Sequence, residues 1–225
     1  MAKITRDLVI YIERKQMTFF GGGLEKVIKL PLEKELYCDL EVVDRALLVE
    51  EISKVIQLSR SPAYLNVIFS DSASFFKDLD SGLIPERLEE EEKKFRDLVP
   101  FDEVAIALVK VGQGYKVIGV NWEIYRVVVE AISSKGFVPL SVVPELAVPG
   151  FNQKGGLNEK SGLLVVQKQK SLKQNNFSTS IEVNEKLIGK RDIKSLIKNI
   201  KPVTVLVGVF TLLVTILVFL ILKSF

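Results

Sequence analysis

The sequence predicts a mixed α/β fold, α+β in character with strands first and helices interleaved, followed by one C-terminal transmembrane helix. Short apolar, β-branched runs separated by turn residues predict the strands. Apolar residues at intervals of three and four predict helices between them, and a run of twenty uncharged residues predicts a membrane span. The expected strands are residues 8–14, 16–20, 25–30, 64–69, 104–111, 115–120 and 137–143.

Three helices are predicted from their terminal residues. Asp44 is suited to cap the first helix, because a short oxygen-bearing side chain accepts a hydrogen bond from a free amide of the first turn. Pro85 suits the first turn of a second helix that runs to Asp97, with glutamates in its N-terminal half and basic residues at its end. Asn121 caps a third helix, which Gly136 ends.

The predicted membrane span covers Val203–Leu222. At about 1.5 Å per residue, such a helix reaches roughly 30 Å, which matches the hydrocarbon thickness of a bilayer. Residues 191–201 alternate apolar and lysine side chains at helical spacing, which predicts an amphipathic helix in the headgroup layer. Positive residues beside a span stay in the cytoplasm, so the preceding domain is expected there. The membrane-proximal basic residues are Lys190, Arg191, Lys194, Lys198 and Lys201.

Charge is distributed unevenly along the chain. Residues 151–225 contain twelve Lys and Arg against four Asp and Glu, a net charge of +8. Residues 1–150 contain nineteen against twenty-four, a net charge of −5. A nucleic-acid-binding protein would carry its basic patch on the folded domain, so no nucleic acid is expected as a partner. Anionic lipid headgroups are expected to contact the basic region instead.

The cysteine and histidine counts exclude several chemistries. One cysteine permits no internal disulfide, and the absence of histidine excludes Ser-His and Cys-His catalysis and most zinc sites. The five glutamates within residues 86–92 have two interpretations. They are either a functional group, as paired catalytic acids or metal ligands, or the solvated face of a helix. Glutamates at this spacing project around a wide arc of a helix, which favours the solvated face.

Roughly residues 8–148 resemble the PilM family of type IV pilus assembly proteins and the cytoplasmic domain of the related GspL type II secretion proteins, and residues 83–148 carry the resemblance. In those families an acidic helix leads into an Ile-Pro-Phe-like turn, a strand pair, a helix, and a glycine- and proline-containing segment. The matching residues are Val99, Pro100 and Phe101 for the turn, and Lys135, Gly136, Phe137, Val138 and Pro139 for the later segment. The resemblance implies a partial actin-like (ribonuclease H-like) fold over residues 1–148, with a small inserted α/β subdomain at about residues 70–143.

The sequence departs from the family where the resemblance places a phosphate-binding turn, at Tyr11, Ile12 and Glu13. Glu13 replaces a glycine that lets phosphate approach the backbone, and Tyr11 replaces an acid that helps to organise Mg²⁺. No nucleotide or other cofactor is therefore expected. The family's second subdomain is not expected either, because residues 149–190 are polar and predict a linker. Residues 161–168 are a possible relic of that subdomain's first strand.

The resemblance implies a non-catalytic, membrane-tethered scaffold of the inner membrane, which binds pilus or secretion platform proteins as a possible homo- or hetero-oligomer. Its inserted subdomain is the part expected to meet partners. Two alternatives remain: an ATP-responsive actin-like protein completed by a partner chain, and a tail-anchored regulatory module unrelated to pili. The candidate partner-binding residues are Glu89, Glu90, Glu92, Trp122 and Tyr125, although a partly buried core edge explains the two aromatic residues equally well.

Overall fold

A computed structural model describes residues 5–56, 58–59, 63–151 and 155–179. These residues belong to one unit that ends at Thr179. Within these ranges, no helix is long and apolar enough to cross a bilayer. The predicted span, the amphipathic helix at residues 191–201 and the membrane-proximal basic residues lie outside the described part of the chain.

Strands and helices alternate along the described chain, so the predicted mixed α/β class is confirmed. The three predicted helix starts are confirmed. Asp44 accepts from the Leu47 amide, Asn121 accepts from the Glu123 amide, and Pro85 is the first residue of its helix. The elements are β1 (Leu8–Ile12), β2 (Gln16–Gly21), β3 (Ile28–Pro31), β4 (Tyr37–Cys38), β5 (Glu41–Val42), α1 (Arg45–Val55), β6 (Ala63–Phe69), β7 (Phe75–Leu79), α2 (Pro85–Leu98), β8 (Val104–Val111), β9 (Gly114–Asn121), α3 (Trp122–Ser133), β10 (Phe137–Pro144), α4 (Glu159–Leu172) and β11 (Ser178–Thr179).

The central sheet has five strands in the order β10-β6-β1-β2-β3. Strands β1, β6 and β10 run parallel, and β2 is antiparallel to both of its neighbours. Every residue of β1 is buried, as expected for the middle strand of a sheet covered on both faces. Because the parallel strands share a direction, the residues that follow β1, β6 and β10 meet at one edge of the sheet.

The inserted unit is smaller than predicted. Strands β7, β8 and β9 form a second sheet with β11, in the order β11-β8-β9-β7, and α2 packs on it through Leu88 and Phe95. However, β10 pairs with β6, and α3 belongs to the main hydrophobic core. The insertion therefore covers about residues 75–121, and the predicted range of 70–143 is wrong. The order of elements in the sequence does not show that β10 pairs in parallel with β6 or that α3 packs in the main core.

Two predictions about residues after 148 are also wrong. Residues 161–168 lie in α4 and not in a relic strand, because Asn158 and Ser161 form a reciprocal capping box that starts a helix. Gly162 lies so close to the Phe20 ring that a Cβ atom would stand 2.2 Å from Phe20 Cδ1. Val165 and Leu172 are buried in the main core, so this part of the predicted linker belongs to the folded unit.

The final described segment, residues 176–179, joins the two sheets. The Phe177 amide donates to the Val142 carbonyl oxygen on β10, at 2.9 Å, and the Asn176 side chain accepts from the Val142 amide, at 3.0 Å. Two residues later, Ser178 and Thr179 pair with Ile106 and Ala105 of β8. Phe177 itself is buried, with its ring against Phe69. The folded unit thus extends about thirty residues beyond the predicted boundary at 148.

Candidate functional site

Acidic side chains follow the three parallel strands at the carboxyl edge of the central sheet. Glu13 follows β1, Asp71 lies two residues after β6, and Glu145 follows β10. In open α/β sheets this edge is the usual place for a ligand. The same edge contains the predicted degenerate turn at Tyr11, Ile12 and Glu13, so its geometry decides what the turn can bind.

Tyr11 and Glu145 are bonded to each other beneath this edge. The Tyr11 hydroxyl donates to Glu145 Oε2, and the Asp71 amide donates to Glu145 Oε1 at 3.1 Å. Burial raises the pKa of the Glu145 carboxyl, and the Tyr11 hydrogen bond opposes that rise. Burial also raises the pKa of Tyr11, and the bond to Glu145 raises it further. Both carboxyl oxygens of a buried acid are therefore satisfied from within the protein.

The rest of the turn is bonded internally as well. The Glu13 amide donates to the Gln16 carbonyl oxygen at 2.9 Å, which closes the β1–β2 hairpin. Glu13 Oε2 accepts from Gln16 Nε2 at 2.6 Å. The Phe151 ring packs against Tyr11, with 5.3 Å between ring centroids. A phosphate here would meet carboxylates and an amide that already has an acceptor, which is unfavourable for anion binding. Among the described residues, no group of three acidic or Cys side chains is placed to hold a metal ion.

A second candidate site is a pocket of about 290 Å³ between the inserted unit and the central domain. Its walls come from β5 and the start of α1 on one side, the turn before β8 on another, and the start of α3. Charged side chains dominate the lining. The pocket is lined by Glu41, Val42, Arg45, Pro100, Phe101, Asp102, Glu103, Asn121, Glu123 and Arg126.

Glu103 is the unusual residue of this pocket. Its Oε1 atom accepts from Arg126, which raises the pKa of that guanidinium. Its Oε2 atom is shielded from solvent and has no hydrogen-bond partner among the described residues. A carboxylate oxygen that is removed from water without a donor is costly. Glu103 is therefore the residue of this pocket whose hydrogen-bonding capacity is not fully used by the described residues.

Side-chain hydrogen bonds and a tight turn hold this pocket in shape. Asn121 Nδ2 donates to the Leu40 carbonyl oxygen at 3.0 Å, which fixes the β4–β5 hairpin against the start of α3. Asp39 and Leu40, at the tip of that hairpin, both have positive φ angles of 49° and 70°, as a two-residue type I′ turn requires. Arg45, at the start of α1, donates to Glu130 of α3 at 2.7 Å. The lining side chains thus stand on elements that are held by hydrogen bonds.

The predicted partner-binding residues do not form one surface. Trp122 is buried in the main core and its ring packs against Tyr125, with 4.2 Å between centroids. The glutamates lie on α2, which packs on the second core. Glu90 is paired with Lys94, and Glu92 is paired with Arg96. Glu89 is exposed and forms no ion pair within the described ranges.

Glu103 and Glu145 were not identified from the sequence. A signal for Glu145 was present, because it follows a strand whose parallel partner β6 lies beside β1. Recognition of that pairing would have placed it opposite Tyr11. No local signal marks Glu103, since its environment depends on the contact between the inserted unit and α3.

No protein-family model matches this sequence, and no curated protein matches it. Solved structures do show similarity. One is a PilM–PilN type IV pilus biogenesis complex, with a TM-score of 0.40, 18% identity, and coverage of 65% of this chain and 49% of that chain. Another is the cytoplasmic domain of EpsL, an inner-membrane component of the type II secretion system of Vibrio cholerae, with a TM-score of 0.35, 17% identity, and coverage of 63% and 58%.

A third similar structure is a protein from Bacteroides thetaiotaomicron with an actin-like ATPase fold and unknown function. Its TM-score is 0.31, its identity 14%, and the match covers 60% of this chain and 51% of that one. The three descriptions agree with the pilus, secretion and actin-like resemblance that the sequence predicts. The matched region spans about half the length of these structures.

Proposed function

We propose that this chain is a non-catalytic, membrane-tethered scaffold of a pilus or type II secretion-like assembly platform at the inner membrane, with its described domain in the cytoplasm. Its chemistry is protein recognition. The proposal combines the resemblance to PilM and GspL, the similar structures named above, and the uncharged run at residues 203–222. The observation that carries the non-catalytic part is the Tyr11–Glu145 pair.

That pair argues against nucleotide binding at the carboxyl edge. The resemblance places phosphate where the Tyr11 side chain, the Glu145 carboxyl and the Phe151 ring now pack together. Entry of a phosphate would break the Tyr11 bond and place negative charge beside Glu13 and Glu145. Each loss would cost free energy.

The pocket at Glu103 is the proposed site of partner recognition. Its shielded Oε2 atom lacks a donor, and a lysine, arginine or terminal amine of a partner segment would supply one by displacing the side chains that shield this atom. The excess of acidic residues on the inserted unit would steer such a basic segment toward it. The similar PilM–PilN structure is a complex, and a platform component of that kind is the partner we propose.

Calorimetric titration of the detergent-solubilised full chain with Mg-ATP tests the first part. We expect no heat of binding. Micromolar affinity would contradict the proposal and favour the alternative of an ATP-responsive actin-like protein completed by a partner chain. Repeating the titration on the chain purified with its membrane partners covers the case in which the partner completes the site.

Capture of partners from solubilised membranes tests the second part. We expect Glu103→Gln to reduce the recovery of platform proteins, because an amide lacks the charge that attracts a cationic donor. Glu25→Gln is the matched control, because Glu25 is exposed and does not line the pocket. Equal recovery with both variants would place the interface elsewhere. Recovery of only regulatory proteins unrelated to pili or secretion would favour the alternative of a tail-anchored regulatory module.

A further inference from the structure

Helix α4 presents a basic and partly apolar face to solvent. One side of the helix is buried through Ser161, Val165 and Leu172, which pack toward the central sheet. At 100° per residue, the opposite side carries lysines that surround two partly exposed leucines. The residues of this outward face are Lys160, Leu163, Leu164, Gln167, Lys168 and Lys170.

The net charge of this region is positive. Residues 159–175 contain four lysines and one glutamate, a net charge of +3, while residues 1–150 carry a net charge of −5. Within the described unit, positive charge is therefore concentrated on α4 and the turn that follows it. The ion pairs found in the described ranges involve none of these lysines. Their charge is available to an external anion.

A pocket of about 640 Å³ opens on the same face. Leu163 and Leu164 contribute apolar surface, and Lys160 and Lys168 contribute ammonium groups. Lys168 Nζ donates to the Pro149 carbonyl oxygen at 3.2 Å, which keeps this ammonium beside the pocket. Apolar side chains ringed by lysines suit the boundary between lipid headgroups and acyl chains.

Helix α4 lies near the end of the folded unit in the sequence, ahead of the proposed anchor. The folded unit ends at Thr179, and twenty-three residues separate it from the uncharged run that begins at Val203. A segment of that length reaches at most about 80 Å when fully extended. A domain tethered in this way stays within reach of the membrane surface, where the cytoplasmic leaflet is anionic.

We propose that the outward face of α4 rests on the anionic surface of the bilayer and so fixes the orientation of the domain. Lysine ammoniums contact lipid phosphates. Leu164 lies at the headgroup boundary, together with the exposed surface of Leu163, which also packs against the main core. This inference rests on the proposed membrane tether. It adds to that proposal a second lipid contact, made by the folded unit itself and separate from the predicted basic residues 190–201.

A fluorescent probe on the helix face tests this contact in the full chain. Cys38 is replaced by serine, and Gln167→Cys carries an environment-sensitive fluorophore; Glu89→Cys on α2 is the control position. The protein is reconstituted into phosphatidylcholine vesicles with and without phosphatidylglycerol. We expect a blue shift at position 167 only with phosphatidylglycerol, and no lipid-dependent shift at position 89.

Charge removal sharpens the test. The variant with Lys160→Gln, Lys168→Gln and Lys170→Gln should lose the shift, since each lysine near an anionic surface contributes about fivefold to the bound fraction. Removal of three other exposed lysines, by Lys29→Gln, Lys93→Gln and Lys110→Gln, is the matched control and should leave the shift intact. A shift independent of phosphatidylglycerol, or one unchanged by the α4 substitutions, would overturn the inference.

The membrane tether is tested separately from the α4 contact. If the full chain is released from neutral vesicles by alkaline wash, the membrane anchor is wrong, whatever α4 does. The released chain is then mixed with phosphatidylglycerol vesicles, and the probe at position 167 still decides whether α4 touches lipid. A shift that requires added membrane proteins instead of anionic lipid would assign this face to a protein partner and reject the bilayer contact.

Discussion

Glu145 and Glu103 are both carboxylates in sheltered positions, and they differ in how their oxygens are satisfied. Glu145 accepts from the Tyr11 hydroxyl and from the Asp71 amide, so the chain itself provides both donors. Glu103 accepts from Arg126 at one oxygen, while the other is shielded and unpartnered within the described part of the chain. The carboxyl edge of the central sheet is closed, whereas the pocket beside the inserted unit lacks one donor.

The difference indicates where an external ligand is favourable. At the closed edge, a ligand must first break hydrogen bonds that the fold already makes. At the Glu103 pocket, a cationic donor forms a bond that the free protein lacks, so binding removes an existing cost. The two sites should therefore differ in how much a substitution changes the free energy of unfolding and the capture of partners.

The largest expected effect comes from the closed edge. Tyr11→Phe should lower the free energy of unfolding by about 1–3 kcal/mol, because a buried carboxyl oxygen loses its donor. Urea unfolding of the detergent-solubilised chain measures the change. Tyr64→Phe is the matched control, since the Tyr64 side chain is about half exposed, at 48%, and should change stability little. Equal effects from the two variants would mean that the Tyr11 bond contributes no more than an exposed hydroxyl.

The pH dependence of stability tests the same pair. Burial raises the pKa of folded Glu145 above its ordinary value of 4.5. Between these two values the folded state holds a proton that the unfolded state has released, so the free energy of unfolding should fall as pH rises through this window. Glu145→Gln should remove that fall. Unfolding curves at several pH values measure this pH dependence, and Glu25→Gln is a control that alters an exposed carboxylate. If the difference in stability between the wild-type chain and Glu145→Gln does not change with pH, the assignment is contradicted.

A smaller effect on stability is expected at the open pocket. Glu103→Gln should change the free energy of unfolding by less than about 1 kcal/mol, because its partner Arg126 is half exposed and solvent screens the pair. The same substitution should reduce partner capture. The comparison between the two glutamates fails if Glu103→Gln destabilises the fold as strongly as Tyr11→Phe.

The smallest expected change in stability concerns α2. Glu89→Lys, Glu90→Lys and Glu92→Lys together remove the pairs that Glu90 and Glu92 form with Lys94 and Arg96. These are exposed or half-exposed pairs, so thermal unfolding should shift only marginally. Capture of a basic partner should fall if α2 steers it by charge. Glu89→Lys alone is the sharper variant, because it reverses a charge that stabilises no described pair; unchanged capture would leave recognition to the Glu103 pocket.

Most helices and strands up to residue 144 follow from local sequence signals. Alternating apolar runs, the caps at Asp44 and Asn121, and Pro85 each act within a few residues, so their positions can be predicted from the chain alone. Strand β7 was not predicted, because four of its five residues are exposed and its apolar pattern is weak. The β4–β5 hairpin was missed because its strands have only two residues each.

Longer-range features required the structure. Val165 and Val166 favour a strand by local propensity. Helix α4 forms because the capping box starts it, and the Phe20 ring leaves room only for glycine at position 162. The limits of the inserted unit depend on the parallel pairing of β10 with β6, across more than sixty intervening residues. Glu103 meets Arg126 only where the inserted unit contacts α3. Such contacts have no signature in a short window of sequence.

Residues 176–179 also set the order in which the nascent chain can finish folding. They are the last described residues to leave the ribosome, yet they bond both to β10 and to β8. Until they emerge, the edge of β10 at Val142 and the outer edge of β8 are open to water and to chaperones. A newly made domain therefore completes its two-sheet unit only after Thr179 is released, and pairing across such long sequence separations is a slow step. A ribosome stalled before residue 176 would hold a domain whose two sheets are not yet joined at that edge.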